Sequence, residues 1–381
     1  MRAALPLDAT HGRGLVLVTG ATGLLGSMVV RRWAHAAGAP RLAVLVRDAA
    51  RWRAVSAALA IPEGRVEPLE GDLTAGGLGL TLAERARLAR LASGVVHLAA
   101  DTTFSRPLSD ARAVNLEGTR RLLDLADGWR GMTRFALVST AFVAGRRTGD
   151  VPEAAEGAAD EVTGWVNAYE RSKAEAEALV RAARRDWVVL RSSTVACDDL
   201  SGAVTQRNAV HQALRLFHGG LAAMMPGVEA STLDVVPSDY VADAIARLAL
   251  APALDGTTVH LCAGAGAMPL AELLDETYAL WARAPEWRRR GISVPALGDL
   301  TTWEMFERAV ASTGDERLRR VTRAMTHFLP QLALPKRFAT DRADALLGNR
   351  APAVRDYWGR MIEHLVRTGW RGVAAEQGAA A

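Results

Sequence analysis

A glycine-rich turn near the N-terminus constrains the fold more than any other feature of this chain. The apolar run Leu15-Val16-Leu17-Val18 leads into a turn with glycines at 20, 23 and 26, the order expected of a strand, a turn and a helix. Glycine at these positions permits a tight turn, a close approach of the backbone to a pyrophosphate, and close packing of the helix on a sheet. The helix N-terminus then faces the anion. The pattern predicts dinucleotide contacts from Thr19, Gly20, Thr22, Gly23, Leu24, Leu25 and Gly26.

Short aliphatic runs alternate with helical patterns along much of the chain, which indicates parallel strands joined by crossover helices. The candidate strands are Leu15–Thr19, Leu42–Val46, Val66–Leu69, Val95–Ala99, Phe135–Ser139, Val188–Arg191 and Thr258–Cys262. This order predicts an α/β fold with a Rossmann-type, doubly wound parallel sheet. Ligands of such sheets bind at the carboxyl ends of the strands, so the residues just past each strand are candidates for a site.

Tyr169 and Lys173 stand four residues apart, in a chain with only four tyrosines and two lysines among its 46 basic residues. On a helix, residues at this spacing share a face, so the phenol and the ammonium can act together. Lysine supplies a compact charge that fits beneath a phenol and a ribose, whereas arginine is bulky and forked. Taken alone, the pair could also be a chance pair on a helix surface. Asn115 falls inside a predicted helix, where it either holds a water against Lys173 or kinks the helix.

Residues after the second and third strands bear on the choice of cofactor. Arg47 stands where NAD-specific enzymes place an acid for the ribose hydroxyls, and a guanidinium there fits a 2′-phosphate. Arg51 or Arg53 could add a second contact, so the pattern favours NADPH over NADH, with a surface arginine as the alternative in this arginine-rich chain. After the third strand, we expect Asp72 to accept a hydrogen bond from the adenine amino group and Leu73 to pack on the ring.

The ends of the fourth and fifth strands supply further candidates. Ala99 and Ala100 are small residues that let the backbone approach the cofactor, whereas His97 lies within the strand and is expected to be a core histidine. After the fifth strand, Thr140 is the better-aligned hydroxyl for a substrate carbonyl oxygen and Ser139 the second choice. The alternative for these hydroxyls is a capping role at the strand end.

The composition indicates a globular chain with more than one functional part. With 381 residues, 50% of them hydrophobic, it can bury a large core and has room for a smaller, mainly helical C-terminal substrate lobe. We expect an N-terminal extension over residues 1–13, an NADP-binding Rossmann domain over 14–264 with 197–232 contributing to the substrate lobe, the lobe itself over 265–375, and a disordered tail over 376–381. No apolar run reaches eighteen residues and the first residues do not resemble a signal peptide, so we expect no membrane span and a cytoplasmic location.

Charge and cysteine usage exclude several classes of function. A formal net charge of +4 is modest for this length, and the arginines are mixed with acids, so no nucleic-acid partner is predicted. Arginine clusters at 288–290 and 317–323 are expected to be solvated, with docking of coenzyme A phosphates or an acidic carrier protein as the alternative. Cys197 and Cys262 are expected to be small buried residues, and no Cys/His cluster has metal-ligand spacing. The oligomeric state is either a monomer or a homodimer.

Ordered along most of the chain, these motifs resemble the extended short-chain dehydrogenases/reductases. Within them, the chain is similar to the branch of fatty acyl-CoA reductases and of the thioester-reductase domains of carboxylic acid reductases and peptide synthetases. The matching pieces cover roughly residues 14–264; they include Leu45-Val46-Arg47, Gly71-Asp72-Leu73, Leu78-Gly79-Leu80, 97–100, 114–119, 139–145, 169–173 and 234–245. One segment departs from the family: Arg191-Ser192-Ser193 replaces the usual Arg-Pro, and Cys197 stands where glycine is common. Because this segment normally contacts the nicotinamide, the resemblance makes Ser192 and Thr194 the expected contacts there.

The resemblance implies that Tyr169 gives a proton to a carbonyl oxygen while the nicotinamide gives a hydride. It implies that Lys173 lowers the pKa of Tyr169 and hydrogen-bonds the ribose, and that Thr140 donates to the developing oxyanion. With a thioester of coenzyme A or a carrier protein, the product is an aldehyde, or an alcohol after a second reduction, and no nucleophilic cysteine is needed.

Three other activities share features of this pattern. A ketoreductase or alcohol dehydrogenase of the hydroxysteroid or β-keto-acyl type would use the same residues. A nucleotide-sugar epimerase or dehydratase would too, but Arg47 disfavours it. A non-catalytic NADP sensor is disfavoured by the presence of both Tyr169 and Lys173. Tryptophans 281, 287, 303, 358 and 370 are expected in the core, with an acyl channel as the alternative.

Overall fold

The computed structural model of the chain describes residues 14–184, 186–252 and 254–370. The expected N-terminal extension (1–13) and tail (376–381) lie outside the described residues, as do residues 371–375 of the expected lobe. Within the described ranges, every helix is too short or too polar to cross a bilayer.

Seven strands form the central sheet. They are β1 (Leu15–Thr19), β2 (Arg41–Val46), β3 (Val66–Glu70), β4 (Ala92–His97), β5 (Arg134–Thr140), β6 (Trp187–Ser192) and β7 (Thr257–Leu261). Their order is β3-β2-β1-β4-β5-β6-β7, and all pairs are parallel. The predicted doubly wound parallel sheet is confirmed, and its order reverses between β1 and β4, where such sheets bind ligands.

Helices cover both faces of this sheet and continue beyond it. They are α1 (Leu24–His35), α2 (Ala49–Ala58), α3 (Leu82–Leu91), α4 (Leu108–Asn115), α5 (Glu117–Asp127), α6 (Ala168–Ala183), α7 (Ala209–His218), α8 (Ser238–Leu248), α9 (Leu270–Trp281), α10 (Pro285–Arg288), α11 (Leu300–Ser312), α12 (Glu316–Thr326), α13 (Asp341–Leu347) and α14 (Val354–Arg367). Single 3₁₀ turns lie at Gly76–Gly79, Ala141–Ala144, Ala155–Gly157, Gly264–Gly266 and Leu329–Ala333. The C-terminal part is mainly helical, as predicted.

Alternation along β1 shows how the two faces are filled. Val16 and Val18 belong to one hydrophobic core, together with Trp33 of α1. Leu15 and Leu17 point to the other face and join a second core with residues of α3, α5 and α6. The first core continues without interruption into α9 and α14, so the sheet and the C-terminal helices share apolar packing.

Four short strand pairs tie later segments back to the sheet region. Gly149–Val151 pairs with Lys336–Phe338, Thr194–Val195 with Val235–Val236, Met224–Pro226 with Ala296–Gly298, and Thr232–Leu233 with Met268–Pro269. The first of these pairs brings residues 336–338 of the C-terminal part next to the segment that follows β5.

Candidate active site

The glycine turn has the conformation that its sequence requires. Gly20 has φ +76°, and a Cβ there would lie 2.7 Å from the Ala99 nitrogen. A Cβ on Gly26 would lie 2.1 Å from the Gly20 oxygen, so the first turn of α1 packs directly on the loop. No side chain caps α1 and its first turn contains no acidic residue. The N–H groups of this turn are therefore left for an anion, and the helix dipole favours negative charge there.

One cleft follows the carboxyl ends of β1 to β4 and collects most of the expected cofactor contacts. Thr19, Gly20, Thr22, Gly23, Arg47, Asp72, Leu73, Ala99 and Ala100 all line it. Arg51 lines it as well, whereas Arg53 does not: Arg53 is exposed and its Nε donates to the Ala49 oxygen at 3.4 Å. Of the two arginines expected to assist Arg47, only Arg51 is placed to do so in this structure, and its contact with a cofactor stays a prediction.

Two polar side chains in this cleft are engaged within the protein. The Thr19 hydroxyl lies 2.6 Å from His97 Nδ1 and accepts from the Ala99 N–H at 3.2 Å, so it ties β1 to β4. His97 Nε2 lies 3.0 Å from the Thr119 hydroxyl, and burial lowers the pKa of His97 to about 3. His97 is thus a neutral core histidine, as expected.

Asp72 Oδ1 accepts from the N–H and hydroxyl of Thr74, which lowers the pKa of Asp72 and leaves Oδ2 for a ligand.

At the sheet's switch point, a second cavity brings together the residues expected to do the chemistry. Tyr169, Lys173 and Thr140 line it together with Ser139, and the glycine turn, Leu24, Leu25, Ser192 and Thr194 complete its walls. Asn167 caps α6 by accepting from the Glu170 N–H at 3.0 Å, which starts the helix one residue before Tyr169. Lys173 then lies one turn along the same face and is 2% exposed.

The electrostatics of this cavity differ from the expectation. Burial raises the pKa of Tyr169, and a hydrogen bond with the Thr140 side chain acts in the opposite direction. Lys173 Nζ donates to the Val138 oxygen at 2.9 Å, and burial lowers the pKa of Lys173 to about 8. In this structure burial therefore moves the pKa of Tyr169 in the direction opposite to the expectation, and a lowering of this pKa by Lys173 stays a prediction.

Asn115 is not among the residues that line either cavity. Its Oδ1 accepts from the Asp101 N–H at 2.8 Å, and its Nδ2 donates to the Asp101 oxygen at 3.0 Å and to Ser172 Oγ at 2.9 Å. Asn115 thus ends α4 and fastens the loop after β4 to α6. Of the two roles left open for it, the geometry favours the structural one.

Behind Lys173 lies a buried ion pair that sequence reasoning missed. Glu177, one turn further along α6, accepts from Arg191 of β6 at 2.8 Å, and both side chains are fully buried. Burial acts to raise the pKa of Glu177, but the charges of Arg191 and Arg181 overcome it and lower the pKa to about 2. Sequence reasoning could have found this pair, because Arg191 lies within an apolar strand and a fully buried arginine needs a charged partner.

The segment that departs from the family pattern still borders the site. Ser192 and Thr194 line the catalytic cavity. Cys197 and Cys262 are buried, as expected, and burial raises the pKa of Cys197 to about 12, so this thiol is a poor nucleophile.

A third, apolar cavity adjoins the catalytic one and shares Phe104, Phe142, Tyr169 and Thr194 with it. It encloses about 770 Å³ including its open mouth. Beyond the mouth its walls come from α7, α9, α14, the segment after α12 and the short strands Met224–Pro226 and Thr232–Leu233: Val210, Ala213, Leu214, Phe217, Met225, Leu233, Leu270, Leu273, Leu274, Phe328, Leu329, Leu332 and Trp358. These walls come mainly from the two ranges that were expected to contribute to the substrate lobe, 197–232 and 265–375.

The site combines a dinucleotide cleft at the switch point with Tyr169, Lys173 and Thr140, which lie where the cleft meets an apolar cavity. This arrangement defines the class of nucleotide-dependent oxidoreductases. The family model described as "Male sterility protein" matches residues 18–245, and the chain belongs to this family. It is an extended short-chain dehydrogenase/reductase of the thioester-reductase branch and an NAD(P)-dependent oxidoreductase.

Solved structures share the fold over nearly the whole chain. The terminal R domain from the myxalamid PKS-NRPS biosynthetic pathway is 25% identical with a TM-score of 0.75, covering 97% of this chain and 95% of that one. A thiolation-reductase di-domain from an archaeal non-ribosomal peptide synthetase is 18% identical with a TM-score of 0.68, covering 95% and 77%.

Among curated proteins, the isonitrile lipopeptide synthase of Streptomyces coeruleorubidus is 30% identical over 318 residues, or 80% of this chain. The chain spans only 20% of the length of that synthase and smaller shares of other large relatives.

Proposed function

We propose that this protein uses NADPH to reduce an acyl thioester, borne by a carrier protein or by coenzyme A, to an aldehyde or on to an alcohol. The observation that carries the proposal is the position of Tyr169 and Thr140 at the junction between the dinucleotide cleft and a deep apolar cavity. A carbonyl at this junction has cofactor on one side and room for an acyl chain on the other.

The cleft fits a phosphorylated dinucleotide. The uncapped N-terminus of α1 suits the pyrophosphate, and the guanidinium groups of Arg47 and Arg51 suit a 2′-phosphate, which favours NADPH over NADH. Among the described residues only Asp72 Oδ1 accepts hydrogen bonds, so Oδ2 can accept from the adenine amino group, and Leu73 lies in the same cleft wall. When bound, NADPH supplies a hydride.

The protein's own residues then donate the proton and stabilise the developing negative charge. Tyr169 donates its proton to the thioester oxygen; a phenol is protonated at neutral pH, which is the form a donor needs. The Thr140 hydroxyl donates a hydrogen bond to the same oxygen. Addition of the hydride and this proton gives a hemithioacetal, from which the C–S bond breaks to release a thiol and an aldehyde.

The proposal for which thiol bears the acyl group rests on similarity to solved structures. The likeness to a thiolation-reductase di-domain and to a terminal R domain supports a thioester on a carrier protein. A free coenzyme A thioester presents the same reacting atoms and is the second substrate to test.

The test is to incubate the purified protein with NADPH or NADH and with acyl-coenzyme A and acyl-carrier-protein thioesters. Loss of nicotinamide absorbance and mass spectrometry of the products are the readouts. We expect aldehyde or alcohol and free thiol with NADPH. Turnover of ketones together with inertness toward every thioester would overturn the proposal in favour of a ketoreductase.

A further inference from the structure

The second lysine of the chain, Lys336, is partly buried and has hydrogen bonds that the proposed chemistry does not use. Lys336 Nζ donates to Gln331 Oε1 at 2.8 Å and to the Leu334 oxygen at 3.2 Å. Gln331 Nε2 in turn donates to Glu170 Oε1 at 2.6 Å, and Glu170 is 2% exposed. A chain of hydrogen bonds thus leads from Lys336 to the residue that follows Tyr169.

These contacts fasten one stretch of the C-terminal part, the wall segment (residues 327–338), to the start of α6. The Asn167 side chain, which caps α6, also donates to the His327 oxygen at 3.1 Å. At its other end, the wall segment pairs with strand Gly149–Val151. The segment is therefore held at its start, middle and end by elements next to the catalytic cavity.

The wall segment is also part of the apolar cavity. Phe328, Leu329 and Leu332 line the cavity on one side, and Gln331, Glu170 and Asn167 border it near Tyr169. Displacing the segment would open this wall to water and remove apolar contacts from an acyl chain, while leaving Tyr169, Lys173 and the dinucleotide cleft in place. The hydrogen-bond chain consequently bears on acyl binding rather than on the chemical step.

We propose that Glu170, Gln331 and Lys336 are positioning residues that hold the wall segment against the catalytic helix and thereby set the affinity for the distal part of the acyl chain. A compact ammonium suits this role, because Lys336 Nζ donates to one amide oxygen and one backbone carbonyl, neither of which matches a forked guanidinium. The inference rests on the proposed reduction of acyl thioesters.

Kinetics with acyl chains of two lengths test this role. Gln331→Leu replaces the amide with an apolar side chain of similar size. We expect its KM for a dodecanoyl thioester to rise about tenfold, with kcat within about twofold and with propionyl-thioester KM and NADPH affinity unchanged. Lys336→Met should shift the dodecanoyl KM in the same direction. Gln212→Leu, on the exposed face of α7, is the matched control and should behave as the wild type.

Two results would overturn the inference: a dodecanoyl KM that stays unchanged in both variants, or an equal rise for both chain lengths accompanied by loss of NADPH affinity. The latter would mean a general structural role, which thermal unfolding would register independently.

Binding of decan-1-ol, measured by calorimetry, separates this inference from the proposed function. The alcohol carries the tail without a thioester, so its affinity depends on the cavity alone. If the wild type reduces no thioester, the proposed function fails. Weaker decan-1-ol binding by Gln331→Leu would then still support the inference, and unchanged binding would overturn it.

Discussion

At the scale of single residues, the candidate site is centred on the phenol of Tyr169, whose pKa lies above its ordinary value. Tyr169 packs against Phe104 with ring centroids 5.4 Å apart, and burial raises the pKa of its hydroxyl. Lys173 Nζ donates to the Val138 oxygen. The free protein therefore holds Tyr169 as a neutral phenol, with Thr140 beside it.

Removing the phenol hydroxyl should abolish most activity. We expect Tyr169→Phe to lower kcat about 100-fold or more, because a positioned proton donor contributes on that order, with NADPH affinity retained. Steady-state kinetics and cofactor titration measure both. Tyr278→Phe is the control, since the Tyr278 hydroxyl has no hydrogen-bond partner among the described residues. Full activity in Tyr169→Phe would refute the mechanism.

The choice between two neighbouring arginines gives a second residue-scale prediction. Arg51→Ala should weaken NADPH binding about tenfold by removing a charge-assisted hydrogen bond to the 2′-phosphate, and should leave NADH binding unchanged. Arg53→Ala should affect neither, because Arg53 is exposed outside the cleft. Fluorescence titration with both cofactors is the measurement, and equal effects of the two substitutions would contradict it.

At the scale of elements, α6 carries the site and is anchored to the sheet by Glu177 and Arg191. The anchor lies one turn beyond Lys173 and has no exposure to solvent. Because a buried charge without its partner is strongly unfavourable, the pair fixes the rotation of α6 and hence the direction of Tyr169 and Lys173.

Glu177→Ala should therefore lower the free energy of unfolding by about 3–5 kcal/mol, as measured by urea denaturation. Asp150→Asn, which breaks the exposed pair with Arg337, is the control and should change stability little. A small effect of Glu177→Ala would show that α6 is held by apolar packing alone.

The Glu177–Arg191 pair also predicts that the stability of the fold falls at acidic pH. The pKa of Glu177 is about 2 in the folded chain against an ordinary value of 4.5. Its contribution to stability is then complete above about pH 4.5 and is lost as the pH falls toward 2. Thermal unfolding between pH 6 and pH 3 should show a steeper loss for the wild type than for Glu177→Ala, and parallel curves would argue against this assignment.

At the scale of the whole molecule, the residues proposed for catalysis and those proposed for acyl binding come from different parts of the chain. The sheet and α6 supply the cofactor cleft and Tyr169, while α7, α9, α14 and the wall segment enclose the apolar cavity. The cavity wall can therefore be altered without touching the reacting groups.

Filling this cavity should shorten the acyl chains that the protein accepts. Ala213 lines the cavity on α7, and Ala213→Phe should raise the KM for dodecanoyl thioesters about tenfold or more, since each excluded methylene is worth about fourfold in affinity. Propionyl thioesters should be unaffected. Ala309→Phe, on an exposed position of α11, is the control. An unchanged preference for chain length would place the acyl group elsewhere.

By itself, the sequence determined the features encoded within a few residues. The glycine turn, the seven strands, the Tyr169–Lys173 spacing and the buried cysteines follow from local sterics and periodicity, which neighbouring residues specify together. The tertiary structure decided the rest. Arg51 and not Arg53 lines the cleft, because residues two apart on a helix point in opposite directions. Three further contacts join residues that are distant in sequence: the hydrogen bonds of Asn115, the ion pair Glu177–Arg191 and the hydrogen bond between Glu170 and Gln331. Burial, which raises the pKa of Tyr169, exists only after the chain has packed.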